Sequence, residues 1–199
     1  MKNEYGIEKG SRVAVLAEYS LEYIVLFAAA QKAGFVIVPL NYRLASAEID
    51  YLMADSNPAI AIVEEKYNHL MHFPDGSVLE LALMEKWLVP SAETAYDQDF
   101  TITPVEEDDP IFIIYTSGTT GFPKGALYTH KMLFWNSINT AISLIINTES
   151  RTLNVMPPFH TGGWNVLLTP FLHHGAYTCL LKKFDPAATL ELLQTEKCT

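Results

Sequence analysis

Ile111-Phe112-Ile113-Ile114-Tyr115-Thr116-Ser117-Gly118-Thr119-Thr120-Gly121-Phe122-Pro123-Lys124-Gly125 sets an unbroken apolar run against a loop of glycines, hydroxyls and a lysine. Ile111 to Tyr115 lacks polar alternation, the pattern of a strand buried on both faces. The loop therefore leaves the end of a buried strand. Its composition is that of a phosphate cradle. Gly118, Gly121 and Gly125 reach positive φ freely, which lets backbone N–H groups approach an anion. Thr116, Ser117, Thr119 and Thr120 add rotatable donors, and Lys124 adds a charge-assisted bond worth about 1.5–3 kcal/mol when desolvated. Pro123 fixes its own φ beside that lysine and reduces the conformers to be frozen on binding.

Other phosphate and nucleophile loops do not fit. A P-loop needs glycine before its lysine and Ser or Thr after it, whereas Lys124 lies between Pro123 and Gly125. The dinucleotide fingerprint Gly-x-Gly-x-x-Gly fails because Thr119, Thr120 and Gly121 follow Gly118. A hydrolase elbow on Ser117 needs glycine at 115 and 119, where Tyr115 and Thr119 stand.

Outward from the loop, Asp109-Pro110 closes an acidic stretch upstream, and Ala126-Leu127-Tyr128 reads as a short apolar return strand. Thr129 caps a helix in which Phe134, Ile138, Ala141, Ile142 and Ile145 recur at helical spacing. Arg12 to Ala17, Phe35 to Leu40 and Ala59 to Val63 read as strands. Leu21 to Lys32 reads as a helix, and Ala47 to Asp55 as another with Ile49, Leu52 and Met53 inward. Beyond the loop come a strand near Leu153 to Met156, a helix near Gly163 to Leu172 and a strand near Ala176 to Leu181. Asp185 then caps a helix through Gln194, with Pro186 at its first position. Strands alternating with helices give an α/β fold, a mainly parallel sheet with helices on both faces, in one domain.

The loop resembles, position for position, the signature loop of the adenylate-forming enzymes, which include acyl-CoA synthetases, peptide synthetase adenylation domains and firefly-type luciferases. Lys9-Gly10-Ser11-Arg12 to Tyr23, Ala33-Gly34 and Val38-Pro39-Leu40-Asn41 look like the opening of an acyl-CoA synthetase. Met156-Pro157-Pro158-Phe159-His160-Thr161-Gly162-Gly163-Trp164 is similar to the segment that follows the loop in those enzymes. The similarity runs from about Lys9 to the end and is least distinctive over residues 64–108.

The resemblance implies ATP-dependent activation of a carboxylic acid as an acyl-adenylate and transfer to a thiol, with ATP and Mg2+ as cofactors and CoA as co-substrate. A fatty or related acid is the expected substrate. It places Thr116, Ser117, Gly118, Thr119, Thr120, Gly121 and Lys124 on the ATP phosphates, with Lys124 catalytic. His160 becomes a gate beside the carboxylate and the phosphates, against the plainer reading of a loop histidine bonded to backbone. Gly162 and Gly163 would thin the wall of an acyl pocket, and Trp164 would line it or fill core. The family's later segments, among them the Tyr-Gly-x-Thr-Glu stretch associated with Mg2+, the ribose-binding Asp and the mobile C-terminal domain, have no counterpart here. Residues 1–199 are thus expected to be a partial N-terminal AMP-binding domain, inactive alone and prone to self-association through uncovered apolar surface. A noncatalytic phosphate-binding or interaction module is the alternative; a kinase would need a His-Arg-Asp catalytic loop, which is missing.

A formal charge of −10 with only 13 scattered Lys and Arg argues against a nucleic-acid partner. The run Glu106-Glu107-Asp108-Asp109 has no calcium-loop spacing and reads as structural. His69 with His72, and His173 with His174, come without a third ligand at characteristic spacing, so no protein-held metal is assigned. Cys179 and Cys198 form no metal or redox spacing, which fits a reduced, cytoplasmic compartment. The longest unbroken apolar candidate, Ile24 to Ala30, is far short of the ~20 residues that span a bilayer, leaving at most peripheral membrane contact.

Overall fold

Val13 and Val15 point to one side of the first strand and Ala14 and Leu16 to the other, and all are buried. That strand, β1 (Arg12–Leu16), is the centre of a two-faced sheet. The computed structural model describes residues 5–73, 77–82, 103–117 and 121–199. Its six-stranded sheet adds β2 (Val36–Pro39), β3 (Ile60–Val63), β4 (Val78–Glu80), β5 (Pro110–Thr116) and β6 (Lys124–Thr129) in the order β4-β3-β1-β2-β5-β6. Every neighbouring pair is parallel except β5 and β6, which form an antiparallel hairpin at the edge. Two further parallel strands, β7 (Arg151–Asn154) and β8 (Tyr177–Leu180), form a separate small sheet. Parallel strands need crossovers, and the helices supply them.

Helix α1 (Leu21–Ala33) starts where Ser20 Oγ accepts the Tyr23 N–H at 3.3 Å. It stops at Gly34, whose φ of 75° returns its N–H to the Ala30 carbonyl at 2.8 Å. Its Tyr23, Leu26, Phe27 and Ala30 face the Val13/Val15 side of the sheet. Helix α2 (Ser46–Ser56) covers the other side with Ile49, Leu52 and Met53, the residues expected. Glu48 takes the Ala45 N–H at 2.8 Å, the half of a capping box that an alanine permits. Each aliphatic side chain so buried contributes about 1.5–3 kcal/mol, which fixes strand register against a one-residue slip. A register irregularity between Pro110 and Phe112 accompanies burial of both Ile111 and Phe112 in the α1-side core.

Three expectations are corrected. Helix α3 (His130–Leu144) is capped by Thr129 Oγ1 on the Met132 N–H at 3.3 Å, as expected, but it buries Leu133, Ser137 and Ala141. Of the expected stripe, Phe134, Ile142 and Ile145 are exposed. The four successive apolar residues Met132-Leu133-Phe134-Trp135 leave the helix rotation undefined by periodicity, and contact with the core decides it. The single helix expected near Gly163 to Leu172 is two short ones, α4 (Thr161–Asn165) and α5 (Thr169–His173). Pro170 has no N–H to continue the ladder, and Thr169 Oγ1 takes the free Trp164 carbonyl at 2.9 Å. Strand β7 ends at Asn154 rather than Met156, because Asn154 Oδ1 itself accepts the Met156 N–H at 3.1 Å. The last helix, α6 (Pro186–Thr195), begins as expected, with Asp185 Oδ1 on the Ala188 N–H at 2.8 Å.

Candidate functional site

The carboxyl ends of β1, β2 and β5 share one edge of the sheet, the usual position for ligands in open α/β folds. Here β5 runs into the glycine-hydroxyl loop. Thr116 and Lys124 are cross-strand partners at the base of the hairpin, so they are held side by side. Thr116, Ser117, Gly121 and Lys124 are exposed, and among the described residues Lys124 makes no ion pair. A cation at such an open mouth is free to meet an anion. Gly118, Thr119 and Thr120 lie outside the described residues.

The glycines differ in what they do. Gly121 has φ of 93°, as expected for a residue turning the backbone toward an anion. Gly125 does not have positive φ, which corrects that expectation. A Cβ there would stand 2.7 Å from Ile113 Cγ2 and 3.2 Å from Tyr115 Cζ, so glycine is required by cross-strand packing. Tyr115, opposite Gly125, donates its phenol to Asp55 Oδ2 at 2.5 Å. Burial first, and then this bond to a carboxylate, push the Tyr115 phenol above its ordinary range. On the other arm, Tyr51 packs on Phe122 with ring centroids 5.4 Å apart and reaches the Pro123 carbonyl at 3.4 Å.

His160, Gly162, Gly163 and Trp164 share a second turn, ahead of and inside α4. His160 Nδ1 accepts the Gly162 N–H at 3.0 Å, so a neutral ring carries its proton on Nε2, which is left to an exposed side chain. The turn is braced from β7: Asn154 Nδ2 donates to the Gly163 carbonyl at 2.8 Å. A Cβ on Gly163 would meet the Pro157 carbonyl oxygen at 2.4 Å, and one on Gly162 would meet Met156 Cε at 3.1 Å. Gly163 thus serves close backbone approach. Trp164 is fully buried, with Tyr19, Tyr23, Phe27 and Phe112 around its ring and Nε1 on the Pro158 carbonyl at 2.7 Å. The structure places it in the core.

Phe159, one residue before His160, packs edge-on against Tyr42, which follows β2 and stacks on Tyr67. The turn therefore meets the same carboxyl edge as the glycine-hydroxyl loop. Among the described residues no hydrogen bond or ring contact joins the two segments directly. Tyr51, Asp55 and Asn154 were not singled out in the sequence, because their roles depend on partners 9 to 72 positions away.

Other charged groups are paired with one another. Asp109 pairs with Lys9 and Glu107 with Lys131, each at 2.7 Å, and His72 Nδ1 lies 3.0 Å from Asp50. Among the described residues no group of three or more His, Cys, Asp or Glu is placed to hold a metal. The loop's donors and Lys124 suit a polyphosphate. No described helix is long and apolar enough to cross a membrane.

Feruloyl-CoA synthase from Amycolatopsis sp is 35% identical over 197 residues, covering 98% of this chain and 38% of that protein. Long-chain-fatty-acid–CoA ligase FadD13 from Mycobacterium tuberculosis is 30% identical, covering 96% of this chain and 39% of that protein. The chain thus spans about two fifths of the length of these curated relatives. Among solved structures, the N-terminal domain of FACL13 from Mycobacterium tuberculosis superposes with a TM-score of 0.84 at 28% identity, over 98% of this chain and 50% of that one. The profile described as AMP-binding enzyme matches residues 1–199 throughout, and on that match the chain belongs to the AMP-binding enzyme family.

Proposed function

We propose that the protein activates a carboxylic acid with ATP and passes the acyl group to CoA, residues 1–199 supplying part of the N-terminal AMP-binding domain. A carboxylate oxygen attacks the α-phosphorus, the bond to the β-phosphate oxygen breaks, and pyrophosphate leaves. The CoA thiol then displaces AMP from the acyl-adenylate. Negative charge grows on the departing pyrophosphate, where Lys124 and the loop donors stabilise it by preorganised electrostatics. The attacking carboxylate is already ionised, so no strong general base is required. Mg2+, when bound, would neutralise phosphate charge. His160 and Gly162 stand beside the reacting carboxylate.

The observation that carries this reading is the exposed Lys124, without an ion pair among the described residues, opposite Thr116 at the mouth of the loop. A fatty or related acid is the proposed substrate, supported by the Pro-Phe-His-Thr-Gly-Gly segment and by a relative named for long-chain fatty acids. A relative named for feruloyl-CoA favours an aryl acid as a second reading. Pyrophosphate exchange into ATP by the full-length protein, run with aliphatic, aryl and amino acids, tests both. Exchange that depends on an aliphatic acid is the expected result; dependence on an aryl acid selects the second reading. Exchange with no acid of any class refutes acyl-adenylate formation.

A further inference from the structure

Both arms of the phosphate loop are held by one helix, and by one face of it. Tyr51 and Asp55 are four residues apart on α2 and so lie one turn from each other on the same side. Asp55 takes the Tyr115 hydroxyl on β5, one residue before the loop's first donor, Thr116. Tyr51 packs on Phe122 and reaches the Pro123 carbonyl, just ahead of Lys124 on β6. The helix itself is anchored, since Ile49, Leu52 and Met53 are buried against the sheet. Gly125 leaves room for the Tyr115 ring to lie across β6 toward α2, since a Cβ there would clash with Ile113 Cγ2 and crowd the ring.

A loop rich in glycine and small hydroxyl residues has many conformers, and each one excluded beforehand lowers the entropy lost on gripping a phosphate. Fixing both roots from a single rigid element holds the β5–β6 hairpin, and with it the paired Thr116 and Lys124, in one place against the sheet. We propose that Tyr51 and Asp55 are positioning residues for the phosphate loop, aligning Lys124 and the loop hydroxyls on the departing pyrophosphate. The assignment rests on the proposed function for its kinetic consequence and on geometry alone for its structural one.

The test uses the full-length protein. Asp55→Ala and Tyr51→Ala are expected to raise the KM for ATP or lower kcat by about ten- to a hundredfold, with the KM for the carboxylate unchanged. Asp55→Asn, which keeps an acceptor, and Tyr51→Phe, which keeps the ring contact with Phe122, should recover most of that loss. Tyr115→Phe combined with Asp55→Ala should be no worse than Asp55→Ala alone, because both changes break the same bond. Hydrogen exchange gives a readout that needs no activity: amides of residues 116–125 should lose protection in the alanine variants while those of β1 and β3 keep it. Kinetic parameters within twofold of the parent, or losses of protection spread evenly over the whole sheet, would overturn the proposal. A parent protein without carboxylate-dependent exchange refutes the ligase reading instead, and the hydrogen-exchange comparison still decides whether α2 holds the loop.

Discussion

Lys124→Ala in the full-length protein is expected to slow acyl-adenylate formation about 10²–10³-fold, the loss typical of removing one preorganised transition-state donor. Lys124 is exposed at the start of an edge strand, opposite Thr116, and no carboxylate among the described residues holds it. Removing it costs the fold little, since surface substitutions away from special features stay within about 0.5 kcal/mol. The defect should therefore appear in pyrophosphate release with the unfolding midpoint unchanged. Arginine keeps the charge but presents it as a planar fork on a longer stem, so Lys124→Arg should restore only part of the rate. A KM for the carboxylate that stays near the parent value would locate the lesion on the phosphates. A rate within threefold of the parent would remove Lys124 from the chemistry.

Trp164→Ala is expected to destabilise the protein by about 3–5 kcal/mol, the range for deleting a buried large aromatic. Its ring centroid lies 4.8–5.3 Å from those of Phe112, Phe27, Tyr19 and Tyr23, which come from β5, α1 and the segment between β1 and α1. These elements meet on one indole. Deleting it also leaves the Pro158 carbonyl without its donor at 2.7 Å, in the turn that carries His160. Trp164→Phe retains much of the volume but not the N–H, and should cost about 1–3 kcal/mol, the penalty of an unsatisfied buried acceptor. Denaturant unfolding of the two variants and the parent measures both. If Trp164 lined an acyl pocket instead, Trp164→Ala would shift acid preference with stability nearly intact.

The contrast between these two residues shows what local sequence can carry. The family was legible because the loop that carries the resemblance is local: hydroxyls, glycines and a lysine lie within a few positions of one another. The sheet was legible where apolar runs were bounded by turn residues, as at Arg12 to Ala17 and Phe35 to Leu40. Helix α2 was legible because its apolar stripe is narrow, whereas α3 carries apolar side chains around most of its circumference and its buried face had to be found by packing. From sequence, Gly125 reads as a flexible residue that lets an anion approach. Its actual constraint is the Ile113 methyl across the hairpin, with the Tyr115 ring close behind, contacts that exist only once β5 and β6 pair. Asp55 and Tyr51 were silent for the same reason, since each acquires its partner only when α2 docks beside the hairpin.

A structure of the full-length protein with a nonhydrolysable ATP analogue is the most direct measurement. The β- and γ-phosphates are expected within hydrogen-bonding distance of Lys124 Nζ and of the hydroxyls of Thr116 and Ser117, at the carboxyl edge of the sheet. A triphosphate bound away from this loop, with Lys124 still in solvent, would contradict the central claim.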